Sequence, residues 1–539
     1  MAKPKVLFVK AAQESDATWD PIRMSPNQGL WYLASELREQ GYYVRLIDET
    51  TRHGGLHKHS MVHRTIKLAT KAGEVDEVYE VPVVTPFADH IRSKMEDFER
   101  LSPGEFVEKH SAFRIPGEIN RTVVRTGNPI EHTLEDIERE LASGDAVIVG
   151  IPLPATSNYV SATRLGKAIK DTFGQHVKVI YGGQHITAMP GQFLKDNPWV
   201  DVAVCGDAVT TIERALQCAL DGTTKVVWRM CGDKTARQED ISCYPLLDPT
   251  LLEENEYPTR PNHTFDTDGR RWVDFMTSKG CGLSCEFCGV SGIPKEEKKY
   301  SAIPLDKLEQ QLLLFKRADI SELVIQDDAV LSNKLLPGAV ALFKKHGFSW
   351  QNNGGIEYER IDDATVEQWS AYNRSGEGRT TALYVPFNPR EWNEGQSAGV
   401  TQTQRRPHVV ELLKKLRESG CYVFSSEIIG QPTERREESG RDTARYIDLV
   451  REGYIDQALT FSATVLPGTK WSWKHGALVV SSIDYVGYSL FTTHHRTYCI
   501  SDPREIERWV VERNKTLNEV QRSYAWGTAF PNVGPQVGE

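Results

Sequence analysis

Short apolar runs alternate with amphipathic patterns along the first 220 residues of the chain. Lys5–Val9, Tyr43–Asp48, Ala146–Ile151, Val177–Tyr181 and Val202–Cys205 read as strands. After Pro26-Asn-Gln-Gly29-Leu30, the residues Leu30, Leu33, Ala34 and Leu37 share one face of a helix. The runs are continuous rather than alternating, and helical patterns separate them, which predicts a parallel sheet covered on both faces. Fold class is therefore α/β, with a doubly wound domain over residues 1–220. Ligands on such sheets sit where the loops leave the carboxyl ends of the strands.

Residues 52–135 break this rhythm with a polar, histidine-bearing stretch, which reads as an inserted subdomain or lid. His53, His57, His59 and His63 crowd its start, and a solvated loop accounts for them better than a metal site, because no carboxylate or Cys partner fixes a geometry. A Pro- and Gly-punctuated linker is predicted over 221–268. A second βα rhythm fills 269–470, with strands predicted at Val273–Met276, Glu322–Gln326, Phe348–Asn352, Ala382–Val385, Tyr422–Ile429 and Leu459–Val465. Helices fall between them at Leu305–Lys316, Pro337–His346 and Val409–Ser419. Six strands with helical crossovers suit a partial (β/α)6 TIM-like barrel with its site at the carboxyl ends. Residues 471–539 are aromatic-rich and are expected to extend over the barrel mouth.

Composition narrows the function classes. The chain has 539 residues, 39% apolar and 26% charged, and no apolar run approaches the roughly 20 residues of a membrane span. Its N-terminus lacks the pattern of a signal peptide, so a cytoplasmic location is expected and no membrane partner. Net charge is −10 with cations scattered among acids, which argues against nucleic acid as a partner. Nine cysteines, three of them within eight residues, argue for one metal centre rather than a disulfide framework.

That cluster is Gly280-Cys281-Gly-Leu-Ser-Cys285-Glu-Phe287-Cys288, just after a predicted strand. Three thiolates on a Gly-rich loop can ligate three irons of a 4Fe–4S cubane and leave the fourth open, where S-adenosylmethionine can chelate. Structural zinc would want four closed ligands, and no further Cys or His follows at suitable spacing.

The Cys-x-x-x-Cys-x-x-Cys loop resembles the radical S-adenosylmethionine superfamily, and the segments around it resemble the branch with a Rossmann-like cobalamin-binding domain, methyltransferase-like in kind. In the barrel, Phe287 resembles the aromatic beside cluster and adenine, and Val324-Ile-Gln326-Asp327-Asp328 the strand end at the methionine amino group. The segment Glu427-Ile-Ile429-Gly430-Gln-Pro432 resembles the adenine-lining strand, and Val465-Leu-Pro-Gly-Thr469 the sixth-strand turn. Ahead of the barrel, Pro26, Gly29, Leu30, Pro152, Thr156, Ser157, Gly182, Gly183, His185, Thr187, Gly206, Asp207 and Thr211 fall on segments that resemble the cobalamin-binding loops. There, Gly182-Gly183 would let backbone approach the corrin or its tail, and His185 and Thr187 would offer side-chain donors.

The resemblance implies three cofactors: a 4Fe–4S cluster, S-adenosylmethionine and cobalamin. It implies C-methylation of an unactivated carbon of a small metabolite through methylcobalamin and a 5′-deoxyadenosyl radical, with a small-molecule substrate and an electron donor such as flavodoxin or ferredoxin. Cyclisation, ring contraction or another rearrangement uses the same motifs and stays open. A non-catalytic cobalamin sensor is opposed by the intact Cys triplet, and a methylthiotransferase by the lack of any Cys before Cys205. Two features depart from relatives. The Asp-x-His-x-x-Gly axial-ligand motif is absent, so base-off cobalamin without a lower His is expected, its lower face covered by a loop such as Ile151–Ser157. Where many relatives carry Glu-Ser in the fourth barrel strand, this chain has Tyr384-Val-Pro-Phe-Asn388, so that ribose contact does not transfer.

Overall fold

The computed structural model describes residues 3–16, 25–57, 59–68, 73–82, 100–101, 105, 118–231, 234–235, 239–257, 271–283, 285–290, 300–356, 360–374, 382–386, 408–435, 444, 446–479, 495, 497–500 and 503–520. Two parallel six-stranded sheets dominate it.

The first sheet contains β1 (Lys5–Lys10), β3 (Val44–Asp48), β7 (Val147–Pro152), β8 (Val177–Gly182), β9 (Val202–Cys205) and β10 (Val226–Trp228). Their order is β10-β9-β8-β7-β1-β3, all parallel. Strands β1, β7 and β9 are buried along nearly their whole length, as continuous apolar runs require. Helix Gln28–Glu39 starts from Asn27, whose side chain accepts the Leu30 N–H, and buries Leu30, Trp31, Ala34 and Leu37. The sheet runs past residue 220, because β10 comes from the segment expected to be a linker.

The stretch 52–135 is not a plain loop. Its strands β4 (His59–Leu68), β5 (Gly73–Pro82) and β6 (Glu118–Thr126) join β2 (Gln13–Asp16) in an antiparallel sheet of order β2-β6-β4-β5. Its alternation of apolar and polar residues is the period-2 pattern of such a strand. Helix Ile130–Leu141, which begins inside the predicted insertion and runs past its end at residue 135, returns the chain to the first sheet through contacts with β7.

The second sheet is β11 (Arg271–Phe275), β12 (Ile320–Ile325), β13 (Ser349–Asn352), β14 (Ala382–Tyr384), β15 (Tyr422–Ile429) and β16 (Gln457–Ser462), in sequential order and all parallel. Helices Leu305–Arg317, Leu336–Lys345, Asp363–Arg374 and His408–Glu418 lie between its strands. The edge strand β16 is covered by helix Pro503–Val520, whose Asn514 amide accepts from Thr460 N and donates to Thr460 O. One apolar core runs from Val6 and Trp31 through Ile241 and Leu247 to Phe275 and Leu323, so both sheets and the connecting segment pack together. Among the described residues, no helix is long and apolar enough to cross a membrane.

Candidate functional site

The cysteine loop leaves the carboxyl end of β11. Its approach is fixed by Asp327, which follows β12 and is fully buried. Asp327 accepts from Thr277 N, Thr277 Oγ1 and Ser278 Oγ, each at 2.6 Å. Burial pushes its carboxyl up to about 6. Asp328 Oδ2 accepts from Gly280 N at 2.9 Å, and Gly280 takes φ +97° there. Asp327 therefore does not face a ligand, contrary to its expected contact with the methionine amino group: its oxygens hold the strand that leads into Cys281.

Cys281, Cys285 and Cys288 are all half-buried. Cys288 N donates to Cys285 O, and a Cβ on Gly282 would meet nothing within 4 Å, so there is room beside Cys281. Among the described residues, no three His, Cys, Asp or Glu side chains converge as a formed metal cage. The donor set, three thiols on one loop with space around it, suits an iron–sulfur cubane rather than a closed zinc site. Phe287 packs 5.6 Å from the Trp471 ring, against the cluster that Trp471 forms with Ala463 and Val465, which closes the loop's apolar side. Trp471 N donates to Glu286 O, and Lys474 pairs with Glu286.

Alternation along the barrel strands decides which residues line its lumen. Val273, Phe275, Leu323, Ile325, Trp350, Leu383, Val423 and Ala458 pack in the outer core. The other face carries Asp274, Val324, Gln326, Gln351, Tyr384, Phe424, Ser426 and Ile428. Contacts across it agree: Gln326 Nε2 donates to Asp274 Oδ1 at 2.6 Å, Tyr384 bonds to Ser426, and Tyr384 stacks on Phe424 at 5.0 Å. Asp274 and Ser426 were not singled out from sequence, and Tyr384 was noted only as a departure from the relatives' Glu-Ser; the alternation of β11, β14 and β15 was the signal that could have placed all three on the lumen face.

The same alternation corrects the adenine segment. Glu427 lies on the outer face, where it accepts from Thr460 Oγ1 at 2.9 Å and lies 3.6 Å from Arg513 of the C-terminal helix. Ile429 is buried on that side too. Gly430 has φ +75°, a Cβ there would strike Ile506, and its carbonyl accepts from His495 Nε2. Pro432 is buried and its carbonyl accepts from Tyr498 N. The segment is thus a seat for the C-terminal extension, and His495 is a packing residue. His494 lies outside the described residues, as do the side chains of His57, His59 and His63; His53 is exposed.

The expected cobalamin loops do meet at the carboxyl ends of β7, β8 and β9. Leu153 N donates to Gly182 O, and Gly206 N donates to Thr187 Oγ1 at 2.8 Å. Pro152, Ser157, Gly182, Gly206 and Thr211 are half-buried, and Gly29 is exposed. Several neighbours are spent within the protein. His185 is 3% exposed, with Nδ1 3.2 Å from Thr156 Oγ1 and its ring against Tyr159, so neither His185 nor Thr156 is offered as a donor. Burial lowers the His185 imidazole to about 4. Thr187 Oγ1 donates to Gly183 O. Gly183, at φ +119°, is needed because a Cβ would lie 2.4 Å from Leu153 O; the close approach is to its own chain. Pro26 and Leu30 are buried, Leu30 in the core. Asp207 pairs with Lys279 at 2.5 Å, which sequence reasoning missed because 71 residues of chain separate them.

The two halves of the site face each other. Besides Lys279–Asp207, a Cβ on Gly289 would lie 3.5 Å from Gln184, one on Gly468 would lie 2.7 Å from Ala188, and Ser25 bonds to Asp274. A separate cavity of about 470 Å3 lies at the carboxyl end of β1, lined by Glu49, Arg125, Asn128 and Arg164 and by none of the expected cofactor residues.

A family model described as a B12-binding domain matches residues 118–216, which include the β7, β8 and β9 loops. The uncharacterized methyltransferase PH0819 of Pyrococcus horikoshii is 24% identical over 379 residues, 69% of this chain and 76% of that protein. The cobalamin-dependent radical SAM methyltransferase TokK of Streptomyces tokunonensis is 26% identical over 187 residues, 32% of this chain and 26% of TokK. In fold, the chain is similar to the radical S-adenosylmethionine methyltransferase TsrM from Kitasatospora setae, solved with cobalamin and a 4Fe–4S cluster. The TM-score is 0.50 at 12% identity, over 94% of this chain and 81% of TsrM.

Proposed function

We propose that the chain, whose residues 118–216 match a B12-binding domain and whose fold is similar to that of a cobalamin-binding radical S-adenosylmethionine methyltransferase, C-methylates an unactivated carbon of a small metabolite. The observation that carries this reading is the meeting of the cysteine loop and the B12-binding loops on one face, marked by Lys279–Asp207 and by Gly289 beside Gln184. When bound, the cluster supplies one-electron cleavage of S-adenosylmethionine and the cobalamin supplies a methyl carrier.

The chain's own residues supply placement. Cys281, Cys285 and Cys288 would hold the cluster, with Asp327 and Asp328 fixing the approach of their loop. Phe287 and Trp471 shield one side of that loop from water. Gln326, held by Asp274, and Tyr384, held by Ser426, offer polar groups to S-adenosylmethionine or substrate inside the barrel. A cytosolic electron donor of the flavodoxin or ferredoxin class is the partner this chemistry calls for.

Anaerobic reconstitution with iron, sulfide and cobalamin, followed by mass spectrometry of a metabolite pool incubated with methyl-labelled S-adenosylmethionine, tests the reading. A metabolite heavier by one labelled methyl group, formed with S-adenosylhomocysteine, is the expected result. Product without S-adenosylhomocysteine would replace methylation by a rearrangement.

A further inference from the structure

Lys279 stands two residues before Cys281, yet its side chain reaches the other domain. Its Nζ lies 2.5 Å from Asp207 Oδ1, and the two side chains are 15% and 19% exposed. A pair this shielded is not one of the screened surface pairs that contribute little. Its surroundings fix both ends. Asp207 Oδ2 accepts from Glu239 N at 2.7 Å, and the fully buried Glu239 accepts from Thr210 N and Thr210 Oγ1. The loop 206–211 after β9 is thereby cross-linked to the connecting segment. The Lys279 ammonium also lies 5.8 Å over the Tyr244 ring.

On the barrel side, Lys279 pairs with Ser301 in a short antiparallel bridge. Thr277 and Ser278 before it are held by Asp327, and Gly280 after it by Asp328. A backbone clamped on both sides of Lys279 cannot absorb a shift of Asp207 locally. A shift of one loop must therefore move the other.

We propose that Lys279 is a positioning residue that couples the two cofactor loops: through its ion pair with Asp207, cobalamin held at loop 206–211 and a cluster held at loop 281–288 tighten each other's binding. The inference rests on the functional reading above, since it takes both loops as cofactor loops. Coupling between sites is reciprocal, so it is readable from either side.

The test measures cobalamin affinity by absorbance, anaerobically, on the full chain with and without its reconstituted cluster. The wild-type chain should bind cobalamin about fivefold or more tightly with the cluster in place, the low end of ordinary couplings. Lys279→Met and Asp207→Asn should keep their iron content and lose that difference, and Lys279→Arg should keep it. A difference undiminished in Lys279→Met, or lost equally in Lys279→Arg, overturns the proposal. So does wild-type affinity that is the same in both states. A wild-type chain that binds neither group would sink the functional reading as well, which separates the two failures. If Lys279→Met does not hold iron, the reciprocal measurement decides on the wild type and Lys279→Arg: cobalamin should slow loss of iron to a chelator in both, and no slowing overturns the coupling.

Discussion

Asp327 accepts the backbone N–H and the hydroxyl of Thr277, and so ties the end of β12 to the start of the cysteine loop. The pair joins residues that follow two neighbouring barrel strands, β11 and β12, at their carboxyl ends. Asn333 Nδ2 donates to the same Thr277 hydroxyl at 3.1 Å. A buried carboxylate that faces three donors cannot be exchanged for an amide without setting donor against donor.

Asp327→Asn should therefore cost of order 1–3 kcal/mol of stability and lower the iron content after reconstitution. Asp328→Asn, which disturbs a single backbone N–H, should cost about 1 kcal/mol. Urea unfolding of the apo variants, beside iron assays of the reconstituted ones, measures both. Equal costs would contradict the assignment of Asp327 as the principal clamp.

Gly182 and Gly183 should respond differently to Ala. A Cβ on Gly182 meets only ordinary contacts, at 3.7 Å or beyond, whereas one on Gly183 collides with Leu153 at φ +119°. Gly183→Ala should lose about 2 kcal/mol or more, and Gly182→Ala less than about 1 kcal/mol. Thermal unfolding of the two variants decides, and comparable losses would show that both glycines serve a close approach.

Stability should fall as the solution is acidified below pH 6.5. Burial lowers His185 and His495 to about 4 in the folded chain, against 6.5 when unfolded. Each imidazole is neutral when folded, so between those values the unfolded chain binds more protons. Their contribution is fully present above pH 6.5 and is lost as pH falls through about 4. Asp327 acts in the opposite sense: its folded value is raised to about 6 from 3.8, so its contribution is present below 3.8 and lost as pH rises through 6. Replacing His185 by Gln should remove up to about 1.4 kcal/mol per pH unit from the acid slope of unfolding free energy. An unchanged slope would show that His185 titrates normally.

Bound cob(II)alamin should show no axial nitrogen. Among the expected cobalamin residues, His185 is the one imidazole, and it is committed to Thr156 and packed on Tyr159 beneath the loop. Paramagnetic resonance without superhyperfine splitting from nitrogen is the expected outcome; splitting would mean that cobalamin's own benzimidazole coordinates cobalt or that His185 leaves its seat.

Much of the fold was legible in the chain because buried parallel strands write themselves as unbroken apolar runs: β1, β7, β8 and β9 all fall within a residue or so of their expected bounds. All six barrel strands were legible too, from apolar residues on their outer faces, although β16 (Gln457–Ser462) begins two residues before the expected Leu459–Val465 and ends three before it. The sheet β2-β6-β4-β5 was not, because β2 and β6 are separated by 101 residues and histidines and acids mask the alternation. The site divides along the same line. Gly280 and Gly430 mark turns that sequence can flag, but the partners of Asp207, Glu427 and His185 come from distant segments. Glu427 looked like a ligand because its segment ends a strand; the parity of β15 turns it outward to Thr460.

The central claim is that one chain joins cluster chemistry and cobalamin chemistry at a shared face. The most direct measurement is anaerobic incubation of the reconstituted chain with S-adenosylmethionine and a reductant, counting 5′-deoxyadenosine and S-adenosylhomocysteine with and without cobalamin. The account predicts both products, with S-adenosylhomocysteine dependent on cobalamin and 5′-deoxyadenosine lost when Cys281, Cys285 and Cys288 are changed to Ala. Formation of 5′-deoxyadenosine that survives the loss of all three thiols, or the absence of any cobalamin-dependent S-adenosylhomocysteine, would contradict it.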